Sequence, residues 1–356
     1  MKMVSLSCLL AAFLAVGTEL PARDAPDGSA RENGWMTRGT WRFEFDNDIF
    51  FRSDDGISNG LSLQYHSPAA ADWRDLQGVG RLQRRLGTWL PFPRREGLRC
   101  RAGLAIGQLL QTPLDITRSD LIPEDVPYAG ALTLHANWTR YSGNDLYGFE
   151  VVAGVAGPLS LAGATQRLVH RLFGFRPPRG WGNQLGNELL LNFNSVRKRK
   201  IWRAGRTEGT AIDLALSGDV ALGNLLTHAR AALELRAGSN MPGGFISLPD
   251  PVGFVMQHAA ALNPACPARA SWQGFFALRG AALGRMLFLD GNTFRHSHRL
   301  ERNPFMAQML AGLRFDRGRG GVGFFVMSST PLVKNGNVPS EAGSELLGVV
   351  QVEWRI

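Results

Sequence analysis

The sequence predicts an all-β protein, a transmembrane antiparallel β-barrel of about twelve strands with one short loop helix. Three observations carry the expectation. Many segments alternate apolar and polar residues with period two, and their charged residues fall on one face only. Beyond the N-terminal region no stretch approaches the ~20 consecutive apolar residues of a spanning helix. Glycine is frequent, 42 of 356 residues, and mean hydropathy is -0.09, as expected when half of each strand faces lipid and half a polar lumen.

At the N-terminus Lys2 precedes an apolar run over residues 4–16, followed by small and turn-forming residues up to Asp27. This is the layout of a secretory signal peptide, with cleavage after either Ala22 or Ala25. The division is therefore a leader over 1–25 and one outer-membrane barrel domain over 26–356, in a Gram-negative envelope. Cys8 falls in the leader, so Cys100 and Cys266 are the remaining thiols; in an oxidising periplasm they form one disulfide or stay as two separate thiols. Their spacing fits no zinc motif.

The net charge is +9. In a cytoplasmic protein that balance would suggest nucleic acid, but behind a leader the matching anions are the phosphates of lipopolysaccharide and its neighbouring outer-membrane lipids, and no nucleic-acid partner is expected. The densest basic run, Arg197-Lys198-Arg199-Lys200, reads either as part of that anion-binding surface or as a solvated strand end or turn.

Strands are expected over 41–51, 58–67, 101–111, 129–140, 146–156, 188–196, 212–219, 227–236, 271–282, 285–291, 305–315, 321–328 and 350–356. In the clearest, Ala229, Ala231, Leu233 and Leu235 point one way while His228, Arg230, Glu234 and Arg236 point the other. Ile212, Leu214 and Leu216 oppose Asp213, Ser217 and Asp219 in the same manner. A helix is expected over 158–174, with Ser160 as cap, Gly174 as terminator and Pro177-Pro178 beyond it. Its Leu161, Leu168 and Leu172 recur at helical spacing and form a stripe able to pack on the barrel wall.

The same helix carries Gln166 and His170 at i and i+4, so both leave one face. Histidine is the usual general base near neutral pH, although a lone helical histidine is more often structural. The first strand ends Asp46-Asn47-Asp48, and Asp54-Asp55-Gly56-Ile57-Ser58-Asn59-Gly60 follows. Such oxygen-rich side chains suit a hard cation such as calcium. Asp54-Asp55-Gly56 is more simply a turn.

Taken in order, these residues resemble the outer-membrane lipid A 3'-O-deacylases. The resemblance runs through Asn47-Asp48, Ile57-Ser58-Asn59-Gly60, Gln111-Thr112-Pro113 and Asp125-Val126-Pro127-Tyr128-Ala129-Gly130. It continues through Gly157-Pro158, the Gln166 and His170 pair, Gly180-Trp181 with Gln184, Asn187-Glu188, and Leu289-Asp290-Gly291-Asn292-Thr293. Ser58 stands where the family more often has threonine, and keeps the hydroxyl; Val126 takes a place commonly held by arginine.

The resemblance implies a twelve-stranded barrel whose active site lies at the outer-leaflet end between the wall and the loop helix, and calcium-dependent hydrolysis of the 3'-linked acyloxyacyl ester of lipid A. It implies His170 as general base, Asp48 as a calcium ligand, Asn47 and Ser58 as polar partners at the ester, and Gln166 as support for the histidine. The alternatives are a catalytically silent barrel, acting as a porin or surface-binding protein, and a serine-type phospholipase with Ser58 as nucleophile, which lacks a recognisable triad partner.

Overall fold

Twelve strands close on themselves. They are β1 (Thr40–Asn47), β2 (Gly56–His66), β3 (Arg99–Thr112), β4 (Ala129–Tyr141), β5 (Asp145–Ala156), β6 (Glu188–Gly205), β7 (Thr210–Gly223), β8 (Leu226–Ser239), β9 (Ser271–Met286), β10 (Phe305–Arg317), β11 (Gly320–Ser329) and β12 (Leu346–Arg355). Each pairs antiparallel with its neighbours in sequence, and β1 pairs with β12 from Thr40↔Arg355 to Asn47↔Gly348. The computed structural model describes residues 38–47, 56–206, 209–241, 244–245, 248–249, 269–334 and 346–356. The leader expected over 1–25, Asp48 and Cys266 lie outside them, while Cys100 is a buried free thiol.

The period-two pattern becomes an inside and an outside. Along β8, His228, Arg230, Ala232, Glu234 and Arg236 are buried in the lumen, whereas Leu233 and Leu235 are exposed on the outer face. Leu104, Ile106, Leu134 and Leu278 continue that apolar outer band on other strands. Trp41 stacks on Trp354, their ring centroids 6.3 Å apart, at the end where β1 begins and β12 finishes. Exposed Trp202 and Trp272 lie toward the same end, which gives the aromatic girdle expected at a membrane boundary.

A lumen twelve strands wide needs filling, and ion pairs fill it. Arg314 donates to Asp316 at 2.8 Å and to Glu353 at 2.5 Å, Arg355 reaches Asp316 at 2.9 Å, and Arg42 also binds Glu353. Farther round, Arg236 and Lys200 share Asp213, while Lys198 and Ser217 share Glu234. Such charges are tolerated away from water because each meets an opposite charge or a hydrogen-bond partner. Toward the other end Leu287, Phe288 and Leu289 pack with Leu109, Val126 and Leu185, so loop segments plug the barrel there.

The strand ends fix orientation. Three of the five connections at the end holding the outer termini of β1 and β12 are short (142–144, 206–209 and 318–319), the other two being 67–98 and 240–270, whereas at the opposite end only 224–225 is short. Longer connections over 113–128, 157–187 and 287–304 lie at the opposite end. Short turns mark the periplasmic side of such barrels and long loops the extracellular side.

Three sequence expectations are corrected. The strand expected over 285–291 does not exist separately: β9 runs through Met286, then Leu287–Asp290 make one helical turn, whose Gly291 terminator has φ 74° and whose Asp290 accepts from Met286 N–H at 2.8 Å. Its apolar run reads as a strand but plugs the lumen. The basic run Arg197–Lys200 is neither a solvated turn nor part of an outer anion surface. It sits within β6 toward the periplasmic end, where Lys198 and Lys200 are buried against Glu234 and Asp213, and Arg197 lies over the Tyr147 ring at 5.3 Å. The loop helix, finally, presents a different face to the wall from the one its leucines suggest, as described below.

The facing assignment has a direct test. Leu233→Lys places a charge in the lipid-facing band and is expected to cost about 2–4 kcal/mol of folding free energy in a bilayer. Ala232→Ser, one residue away but in the lumen, should cost much less; reversible urea unfolding in lipid vesicles measures both.

Candidate functional site

Two helices dock on the outer surface of the barrel, both against β3 and β4, at opposite ends. Helix α1 (Arg81–Trp89) belongs to the periplasmic connection between β2 and β3. Helix α2 (Ala162–Phe173), preceded by a 3-10 turn over Pro158–Ser160, belongs to the extracellular connection between β5 and β6 and carries Gln166 and His170.

The wall makes room for α2 by giving up side chains. A Cβ added at Gly130 would lie 2.2 Å from the Ala162 Cβ and 2.5 Å from Ser160 Oγ, so the helix can approach β4 only over glycine. Leu110, on the outer face of β3, is fully buried with Ala162, Tyr128 and Trp181, and Gln108 donates to the Ser160 carbonyl at 2.7 Å. The helix therefore packs through Ala162, Gly163, Gln166 and His170. Leu161, Leu168 and Leu172 are exposed, the last by 71 %. The expected leucine stripe is thus on the wrong side, because close approach to a strand selects small residues. Ser160 is likewise not the N-cap: Leu161 holds that position with φ 60°, and the Ser160 hydroxyl donates to the Gly157 carbonyl at 2.6 Å.

His170 is buried and held. Gly174 ends the helix in the left-handed region at φ 73°, and the chain turns back so that the Arg176 carbonyl oxygen lies 2.6 Å from His170 Nδ1. A carbonyl only accepts, so Nδ1 carries a hydrogen, and in the neutral ring the lone pair is on Nε2. The Phe175 ring packs edge-on against the imidazole, centroids 5.5 Å apart.

Gln166, one turn earlier, accepts a hydrogen bond from Trp181 Nε1–H at 2.7 Å. Trp181 stands edge-on to Tyr128 at 5.1 Å, and the Tyr128 hydroxyl donates to the Ile116 carbonyl at 3.1 Å. This chain ties the loop 113–128, the helix and the segment after it into one unit. Asn187 accepts from Leu159 N–H at 2.9 Å, and Glu188 accepts from Asn292, Thr293 N–H and Asn224, which joins the 287–304 connection to it. Gln111 reaches the Phe288 carbonyl at 2.9 Å, and Asp125 accepts from Leu114 N–H at 2.9 Å. Most of the ordered motifs thus brace the rim of the barrel.

Asn47 is buried at the extracellular end of β1. Ser58 lies in β2, between the two strands, where the β2–β3 register shifts between Gly56 and Asn59. Strands are spaced by ~4.8 Å, so the end of β1 is about 10 Å from β3, the strand beneath α2. The backbone brings Asn47, Ser58 and the His170 helix to one sector of one rim. Asp48 falls outside the described residues, and among the described residues no group of three His, Cys, Asp or Glu side chains could hold a metal ion. Trp181, Tyr128, Gly163 and the Arg176 carbonyl are the supports that sequence reasoning assigned no role; Tyr128, Gly180 and Trp181 were visible only as motif residues.

A closed barrel of twelve antiparallel strands, greasy outside and charged within, is an outer-membrane protein of a Gram-negative bacterium. The family model described as outer membrane protein LpxR matches residues 6–355, and the chain belongs to that family. Among solved structures, LpxR from Salmonella typhimurium superposes with a TM-score of 0.68 at 13 % identity, covering 88 % of this chain and 99 % of that one. The β domain of the Bordetella autotransporter BrkA aligns at TM-score 0.41 and 9 % identity, over 89 % of this chain and 99 % of that one. No curated protein matches the sequence.

The docking of α2 is testable without any assay of activity. A Cβ at Gly163 would fall 2.9 Å from the Trp181 ring. Gly163→Leu should therefore push the helix off the wall, so that trypsin cuts at Arg167 and Arg171 at least ~10 times faster than in the parent, an opening cost of only about 1.4 kcal/mol. The barrel's heat-modifiable gel mobility should stay unchanged.

Proposed function

We propose that the protein is a lipid A 3'-O-deacylase, hydrolysing the 3'-linked acyloxyacyl ester with His170 as general base. The observation that carries the reading is the hydrogen bond from His170 Nδ1 to the Arg176 carbonyl. It leaves Nε2 as the free base on a helix pressed against the outer wall, at the rim where an outer-leaflet lipid would present its esters. Nε2 takes a proton from water as that water attacks the ester carbonyl, and returns it to the departing sugar oxygen. The attached imidazole cannot rotate away, because Gly174 and Phe175 fix both its hydrogen bond and its ring face. Gln166 is a positioning residue: its bond to Trp181 keeps the helix face that bears His170 seated.

Asn47 and Ser58 are assigned to the ester as its polar partners, a reading supported by the backbone of β1 and β2, which brings both positions to that rim. Calcium is the cation proposed here, with Asp48 as its carboxylate ligand beside Asn47, since a hard ion with oxygen ligands suits that segment. When bound, it would polarise the ester carbonyl and offset the oxyanion charge. The lumen, crossed by paired charges rather than left open, speaks against the porin alternative.

His170→Gln should leave barrel folding and heat resistance intact and lower deacylation by at least ~10²-fold. Mass spectra of lipid A incubated with each purified protein measure the rate, and a folded variant working at the parental rate would remove His170 from the mechanism. Lipid A left unchanged by the parent itself would instead favour the silent barrel. Chelating calcium should abolish hydrolysis while the barrel stays folded, because strand pairing needs no ion; full activity in excess chelator would refute the calcium assignment.

A further inference from the structure

The helix α1 has no part in the proposed chemistry, yet it is built into the outside of the barrel. Gln83 donates to the carbonyl oxygens of Gly103 and Asn137, at 2.7 and 3.3 Å, and Trp138 Nε1–H donates back to the Gln83 carbonyl at 2.7 Å. Trp73, Leu76 and Phe92, from the segments flanking the helix, bury Cys100, Ala102 and Trp138, which occupy the lipid-facing register of β3 and β4. A Cβ at Gly87 would lie 2.7 Å from the Trp73 ring, so this face of the helix is closely fitted.

The other face is exposed and of mixed character. Leu82 is 69 % and Trp89 66 % exposed, seven residues apart on one stripe, with the Arg85 guanidinium between them and 4.9 Å from the Trp89 ring centroid. Arg81, and Arg94 in the following segment, are also exposed, and the helix contains no carboxylate. Single exposed apolar residues are ordinary on a soluble surface, but here leucine and tryptophan share one helical stripe with an arginine on a barrel wall that faces lipid. That is the composition of an interfacial helix, whose apolar side chains enter the acyl boundary while its arginines meet phosphates.

Its height agrees. The exposed apolar band on this wall begins at Leu104 of β3, directly beyond Ala102, and ends where α2 covers Leu110. From Ala102 to Leu110 is eight residues, ~26 Å along the strand and ~20 Å once a ~40° tilt is allowed, close to the ~25 Å apolar band of such barrels. The two helices therefore bracket the hydrocarbon layer. The girdle aromatics Trp41, Trp354, Trp202 and Trp272 stand on other strands toward the same end; on β3 and β4, where Trp138 is covered, the exposed aromatic at this level is Trp89 of α1.

We propose that α1 is an interfacial anchor that binds anionic phospholipid headgroups of the periplasmic leaflet through Arg81, Arg85 and Arg94, with Leu82 and Trp89 inserted at the acyl boundary. The proposal depends on the barrel's place in the outer membrane and not on its catalysis.

The test is hydrogen–deuterium exchange of the peptides spanning 81–95 in the full protein, reconstituted in nanodiscs of phosphatidylcholine with or without phosphatidylglycerol. Phosphatidylglycerol should slow exchange there by at least roughly fivefold, the weight of a single arginine at an anionic surface. The combined variant Arg81→Glu, Arg85→Glu, Arg94→Glu should lose that difference while its strand peptides stay protected; Trp89→Ser serves as a second, uncharged variant that should raise exchange in both lipids. Equal exchange in the two lipids, or slowing that survives charge reversal, would overturn the proposal. So would equal slowing by water-soluble glycerophosphate, which would identify an anion site without a membrane role.

Discussion

Inside the hydrocarbon layer no backbone N–H or C=O can turn to water, and the pairing of β1 with β12 is what satisfies the last of them. An open edge would leave a row of unpaired groups, each costing several kcal/mol in lipid. Closure from Thr40↔Arg355 to Asn47↔Gly348 removes the edge and imposes the rest of the architecture. Each strand must present one face to lipid and one to the lumen, which is why Leu233 and Arg236 can occupy the same strand. A lumen of this width must then be occupied, and Arg314, Asp316, Glu353 and Arg355 occupy it at the periplasmic end while Phe288 and its neighbours plug the other.

A closed wall leaves two places to build a site: the ends of the lumen and the outer face. In this protein the docked elements are on the outer face. The sector formed by β3 and β4 carries both docked helices, and at the extracellular end Gly130 lets the backbone of α2 come against the wall. That contact sets the position of His170, because the imidazole is oriented by a turn that starts from the helix end at Gly174 and comes back through the Arg176 carbonyl. The element that carries His170 is thus a loop helix seated by small residues, an indole and a strand.

Much of this was legible in the chain. Alternation placed twelve of the thirteen expected segments on real strands, the facing read along β7 and β8 is correct, and the end signals of the loop helix placed it within a few residues, since periodicity and turn chemistry are local properties. The misreadings share one cause. The apolar run Leu287-Phe288-Leu289, the basic run at Arg197–Lys200 and the leucines of α2 were each read from local character and spacing. The first plugs a lumen, the second is neutralised by acids on β7 and β8, and the third was displaced from the wall by Ala162 and Gly163. None of those neighbours is near in sequence.

The sequence by itself determined that this chain makes strands of two-faced character, sends charges to one side, places a helix with Gln166 and His170 between β5 and β6, and orders its motifs in the manner of one family. Those outcomes follow from residue type and spacing within a few positions. Only the tertiary structure decided which helix face meets the wall, which nitrogen of His170 donates to the Arg176 carbonyl, which acids neutralise Lys198 and Lys200, and that α1 lies against the outside of β3 and β4 at the end opposite α2. These depend on the closeness of approach between segments far apart in the chain, and that distance exists only once the barrel has closed.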